Sequence, residues 1–174
     1  MKHVKKSVLL WYSPREMYEL VVGVGRYPEF LPWCEQAEIL SSQALGPSVE
    51  PGLAAEPPSE SVTARLQMAY AGVRHAFTTR NTNTLNRRVD MALVDGPFSE
   101  LEGVWNFLPL GKPGAASDPA QAGAEPKACK IEFELRYAFS SMALEAVVSP
   151  VFDRVANTLV ERFVQRAEAV YGAR

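Results

Sequence analysis

The sequence predicts an α+β fold in which a curved antiparallel sheet wraps a long C-terminal helix and leaves a ligand cavity between them. Three observations point there: a strand followed by a well-capped helix near the start, a succession of alternating apolar and polar segments through the middle, and a switch to helical periodicity at the end. At 174 residues the chain reads as one domain spanning 1–174, large enough to bury a substantial core.

Val4 to Tyr12 is rich in β-branched and aromatic residues and reads as a strand. Ser13-Pro14-Arg15-Glu16 is a capping box with proline at the first helical position, so a helix starts at Pro14. Met17, Leu20 and Val21 supply its apolar face, and Gly23 and Gly25 end it. A proline-bounded turn follows, with one short helical turn around Tyr27 to Phe30, and then a second strand from Cys34 to Ser42. Residues 43–59 and 111–127 are rich in proline, glycine and small side chains without periodicity, and both read as flexible loops inserted between strands.

Between and after these loops lie the strongest strand signals. Val62, Ala64, Leu66, Met68 and Tyr70 alternate with more polar neighbours, Ala71-Gly72 turns the chain, and His75 to Leu85 returns it. Asn86-Arg87 leads into Val89 to Val94, Asp95-Gly96-Pro97 into Phe98 to Leu108, and Cys129 to Phe139 alternates along a last long strand. The pattern is an antiparallel meander of five or six strands. Leu144, Val148, Val151, Val155, Leu159, Phe163, Ala167 and Val170 recur at threes and fours, one face of a helix of about six or seven turns. Pro150 either begins the main helix or kinks its first turn.

Composition narrows the function. With 18 basic and 20 acidic side chains, a formal charge of -2, the chain gives no electrostatic argument for DNA or for a strongly anionic membrane surface. Local basic groups remain, among them Arg154, Arg162 and Arg166 at roughly helical spacing. Two cysteines, Cys34 and Cys129, are too few for a disulfide framework, which fits a reducing cytoplasm. The apolar run from Val8 to Tyr12 is too short for a signal-peptide core, leaving room only for a peripheral contact at the inner membrane. With His3 and His75 as the only histidines, no zinc constellation of familiar spacing exists.

Two rigid aromatic runs mark the candidate site. In Tyr27-Pro-Glu-Phe-Leu-Pro-Trp-Cys34, Pro28 and Pro32 stiffen the backbone that carries Phe30, Leu31 and Trp33. After Asp95-Gly-Pro-Phe98, residues Leu101, Gly103, Trp105 and Phe107 share one strand face, and Gly103 leaves a gap where a ligand or backbone can come close. Together with VFDRVANTLVERFVQRAEAVYG at 151–172, these motifs resemble the Coq10/RatA branch of the START-like superfamily, the helix-grip proteins of polyketide cyclization and lipid transport. The resemblance covers nearly the whole chain and lapses at the two long loops.

The resemblance implies a helix-grip domain that binds a hydrophobic molecule. Mitochondrial members assist ubiquinone in respiration, and some bacterial members are described as inhibitors of ribosomal subunit association. The leading expectation is a non-catalytic carrier or chaperone for ubiquinone or a lipid-like ligand, with Phe30, Leu31, Trp33, Tyr70, Phe98, Trp105, Phe107 and Val155 as ligand contacts. Tyr70 adds a polar handle for a quinone or carbonyl oxygen, while Phe77, Phe133, Tyr137 and Phe152 are read as core. The alternative is a RatA-type toxin acting on the large ribosomal subunit, and the third is an aromatic cyclase. A cyclase needs an acid or base inside the pocket. Glu100 and Glu102 fall on the face opposite Leu101, and His75, Arg80 and Asp95 have no evident partners. No cofactor or metal is expected beyond the bound ligand.

Overall fold

A computed structural model describes residues 1–45, 57–110 and 126–174. The chain runs β1 (Lys2–Leu10), α1 (Pro14–Val22), a 3₁₀ turn (Val24–Glu29), β2 (Cys34–Leu45), β3 (Ser59–Tyr70), β4 (Val73–Thr84), β5 (Arg88–Asp95), β6 (Phe98–Leu110), β7 (Ala128–Phe139) and α2 (Met142–Tyr171). The strands form one antiparallel sheet in the order β1-β7-β6-β5-β4-β3-β2. The six-strand meander is thus present, and β1 joins it beside β7, a non-local pairing that no local pattern announces.

Local chemistry accounts for the turns. The Ser13 hydroxyl accepts from the Glu16 amide at 3.0 Å while Glu16 Oε1 accepts from the Ser13 amide at 2.9 Å, the reciprocal cap that starts α1. Ala71 and Gly72 both have positive φ, 49° and 81°, which turns β3 tightly into β4. Gly96 has φ 149°, and a Cβ there would stand 2.7 Å from that of Phe77, so only glycine fits this turn. A register shift between Phe98 and Glu100 then lets both Phe98 and Leu101 point inward although they are three residues apart.

Several boundaries differ from the sequence reading. β1 ends at Leu10, and Tyr12 instead donates its hydroxyl proton to the Gly172 carbonyl at 2.7 Å, tying this corner to the end of α2. Gln43 to Leu45 and Ser59, expected in a loop, extend the β2–β3 ladder because Gln43 pairs with Ser61 and Leu45 with Ser59. The remainder of that expected loop, 46–56, and residues 111–125 of the other lie outside the described residues. α2 is 30 residues long, about eight turns, because Ser141 caps it well before Pro150 and the helix continues through the proline. Val170, assigned to the apolar face, is exposed.

The inner face of α2 packs on the concave face of the sheet through two aromatic clusters. Phe152 meets Phe98 at 4.8 Å and Tyr137 at 4.7 Å under the N-terminal half. Phe163 meets Trp105 at 5.2 Å, Phe30 at 5.2 Å and Tyr27 at 5.5 Å under the C-terminal half. Edge and tilted contacts dominate both clusters, as the quadrupoles of neighbouring rings favour.

Candidate functional site

A cavity of about 80 Å³ lies between the two aromatic clusters. α2 covers it with Phe152, Val155, Ala156, Leu159 and Phe163, a stripe at helical spacing. β3 and β4 contribute Ala64, Leu66, Phe77, Thr79 and Asn81; Met91, Leu101, Trp105, Phe133 and Leu135 come from β5, β6 and β7. Val24, Tyr27 and Trp33 close the end below the proline-rich turn. Tyr27 and Trp105 both pack on Phe163 in the second aromatic cluster, which lines that end of the cavity.

Of the eight residues expected to contact a ligand, Trp33, Trp105 and Val155 line this cavity. Tyr70 lies in an adjoining vestibule of about 90 Å³ together with Pro32, Trp33, Val151, Arg154, Val155, Thr158 and Arg162. Trp33 and Val155 border both spaces and form the wall between them. Phe30, Leu31, Phe98 and Phe107 are placed elsewhere. Phe30 carries the Arg166 guanidinium on its ring at 5.1 Å, Leu31 is buried in the core, Phe98 belongs to the Phe152 cluster, and Phe107 packs edge-on against Tyr18 at 5.9 Å. Conversely Phe77, Phe133 and Phe152, read as core, are both packed and exposed to the cavity. The gap at Gly103 is taken up by Met91 and Leu135 from the flanking strands, whose side-chain ends lie 2.5 Å and 3.1 Å from where its Cβ would be.

The polar part of the lining escaped sequence reasoning. Thr79 and Asn81 are buried and face the cavity from β4, with the threonine hydroxyl donating to Asn81 Oδ1 at 2.9 Å. The signal was present as the alternation Phe77, Thr79, Asn81, Asn83. Polar residues in a phase set by one phenylalanine read as a solvated face until the sheet is closed. A second polar atom stands out: the Trp33 indole Nε1 is buried and has no hydrogen-bond partner. Buried indole N–H groups ordinarily find an acceptor.

The described lining of the cavity is sparse in titratable groups. Tyr27 is the one titratable side chain among the described cavity-lining residues; burial raises its phenol well above the ordinary range, with a smaller contribution from Cys34. Its hydroxyl donates to the Val21 carbonyl. Arg80, Asp95, Glu100 and Glu102 are exposed, and neither these residues nor His75 are part of the lining. Burial pushes the Cys34 and Cys129 thiols up to about 11, which keeps them protonated near neutral pH. Among the described residues no group of three or more histidine, cysteine, aspartate or glutamate side chains could hold a metal, and no helix is long and apolar enough to cross a membrane.

Residues 10–164, which contain the whole cavity lining, match the family described as polyketide cyclase/dehydrase and lipid transport. The chain belongs to this family. It is 36% identical over 171 residues to the ribosome association toxin RatA of Pseudomonas aeruginosa, covering 98% of each chain. It is 27% identical to the mitochondrial coenzyme Q-binding protein COQ10 homolog B of Xenopus laevis, covering 96% of this chain and 58% of that one. The solution structure of the 18 kDa protein CC1736 from Caulobacter crescentus superposes with a TM-score of 0.61 at 28% identity, over 99% of this chain and 100% of the other. The resemblance to the Coq10/RatA branch read from YPEFLPWC, DGPF and the C-terminal motif therefore holds across the family, and the long helix on a curved sheet is the helix-grip fold that it implied.

Proposed function

We propose that the protein holds a hydrophobic small molecule, an isoprenoid quinone or a lipid-like compound, between its sheet and α2, and acts as a carrier or chaperone in respiration. The observation that supports this most directly is the predominantly apolar cavity bordered by Trp33, Trp105 and Val155. The Xenopus relative, whose name records coenzyme Q binding, points to the quinone class. Burying apolar surface at roughly 25 cal/mol per Å² supplies the affinity. At about 80 Å³ the cavity is smaller than the roughly 300 Å³ at which pockets for drug-sized ligands begin, so its walls have to part to admit such a molecule.

Native mass spectrometry of the purified protein, followed by organic extraction, tests the reading. A stoichiometric quinone or lipid is the expected result; an empty protein that also refuses added ubiquinone overturns it. Ala156→Leu is the control variant, because Ala156 is buried on α2 against the cavity and the larger side chain would fill it while keeping a good helix former. Uptake should be lost with the fold retained.

A second reading is favoured by the near full-length 36% identity to a protein named as a ribosome association toxin. In it the protein binds the large ribosomal subunit and blocks subunit joining. Co-sedimentation with ribosomal subunits that falls steeply with added salt is its expected signature; absence of co-sedimentation at low salt excludes it.

A further inference from the structure

Two arginines of α2 set the vestibule apart from the cavity it adjoins. Val151, Val155, Thr158 and Arg162 follow one another at threes and fours, with Arg154 beside Val151 and Val155, so this stripe of the helix mixes apolar and basic side chains. Arg166 on the same helix is engaged with Glu29 at 3.6 Å, as are Arg174 with Glu16 at 2.7 Å, Arg88 with Asp90 at 2.8 Å and Arg136 with Glu134 at 3.2 Å. Arg26, Arg65, Arg80 and Arg87 have no such partner among the described residues but line no shared pocket with Trp33. Arg154 and Arg162 make no side-chain ion pair or hydrogen bond among the described residues, and no aspartate or glutamate lines the vestibule. Tyr70 and Trp33 line the same space from the sheet side, and the buried Nε1 of Trp33 is likewise without an acceptor. Two unpaired arginines therefore line a space that shares Trp33 and Val155 with the apolar cavity.

We infer that this vestibule is a head-group site for an anionic amphiphile, with the charged head between Arg154, Arg162 and Tyr70 and the apolar tail passing Trp33 into the inner cavity. The inference rests on the cavity reading above and specifies the class of its ligand. Two uncompensated guanidiniums select negative charge, and a carboxylate or phosphate oxygen reaching the Trp33 Nε1 would satisfy a buried donor that the protein itself leaves open. A neutral head of the same size would leave both arginines facing water and gain little from them. Carboxylate and phosphate heads share the required chemistry.

Isothermal titration with three probes of equal chain length separates the outcomes: dodecanoate, monododecyl phosphate and dodecanol, each below its aggregation threshold. The wild-type protein should bind the anionic probes about tenfold more tightly than the alcohol, a preference that shrinks with salt. The tighter of the two anions then identifies the head as carboxylate or phosphate. In R154Q/R162Q the three affinities should converge with the thermal transition unchanged, and W33F should weaken the anions while keeping an apolar wall. Equal binding of all three probes by wild type, or selectivity that survives R154Q/R162Q, overturns the head-group site but leaves the cavity reading standing. Failure of all three to bind overturns both. Loss of ribosome co-sedimentation in R154Q/R162Q with amphiphile selectivity intact would assign the arginines to RNA phosphates and likewise overturn the inference.

Discussion

β4 and β7 are equally buried and chemically opposite. On β7 the inward residues are Cys129, Ile131, Phe133, Leu135 and Tyr137, none more than 5% exposed. On β4 they are Phe77, Thr79, Asn81 and Asn83, none more than 8% exposed. β7 sits between β1 and β6 and meets the cavity only with the apolar Phe133 and Leu135, whereas β4 also presents Thr79 and Asn81 to it. The difference shows that burial alone does not make a core. Hydrogen bonding offsets the burial of this polar row in part, through the Thr79 to Asn81 bond and Asn83 Nδ2 donating to Glu60 at 3.2 Å, while Asn83 Oδ1 is left without a partner. Water or a ligand in the cavity can supply further partners to Thr79 and Asn81.

The largest expected effect lies on β7. Ile131→Ala removes a side chain with no exposure from this strand and should destabilise by about 2–5 kcal/mol in chemical denaturation; a loss below about 1 kcal/mol would erase the distinction between the two strands. Next comes the turn above β4. Gly96→Ala forces a strained φ and drives a Cβ onto Phe77, so a loss of about 1–3 kcal/mol is expected, and a neutral result would show that the packed end of β4 can shift.

Acid should loosen the contacts that α1 and α2 make with the rest of the fold. Burial alone would raise the Asp153 carboxyl, but hydrogen bonds from Lys2, Tyr137 and Ser149 outweigh it and hold the group below the ordinary carboxylate range. Glu16 follows the same pattern, burial opposed by bonds from Arg174 and Ser13. A depressed folded value means that the stabilisation is fully present above the ordinary carboxylate value and is lost as pH falls through the folded one. Unfolding midpoints should therefore be flat from neutral pH to about 5 and then decline. Asp153→Asn should flatten that decline and reduce stability at neutral pH by about 1 kcal/mol, since the aspartate is partly exposed.

The smallest effect on stability is expected on β4. The double substitution Thr79→Val with Asn81→Leu replaces both partners of one buried hydrogen bond with apolar groups, which should change stability by less than about 1 kcal/mol. Ligand uptake should nevertheless fall, because the added bulk enters the cavity. A loss of stability comparable to that of Ile131→Ala would return β4 to the core and remove the contrast.

Trp105 illustrates the limit of reading a site from a motif. Its position in LEGVWNF suggests a ligand contact whose removal spares the fold. In place it is 2% exposed, meets Phe133 at 4.5 Å and borders the cavity at the same time. Trp105→Ala would therefore cost the core about 3–5 kcal/mol as well, and Ala156→Leu is the cleaner probe.

What the sequence determined by itself was everything set by near neighbours: the Ser13–Glu16 cap, the Ala71-Gly72 and Asp95-Gly96-Pro97 turns, the alternation that orients Leu101, Trp105 and Phe107 inward, and the existence of a long amphipathic helix. These follow from φ restrictions, capping and periodicity, which act over a few residues. Tertiary structure alone decided that β1 pairs beside β7, that α2 runs unbroken through Pro150, that Phe30 and Phe98 serve packing while Trp33 and Val155 divide two spaces, and that the polar row of β4 turns inward. It alone brought Arg154 and Arg162 opposite Tyr70. Such placements depend on which faces meet when the sheet curls over the helix, and residues 84 or more positions apart in the chain then share one wall.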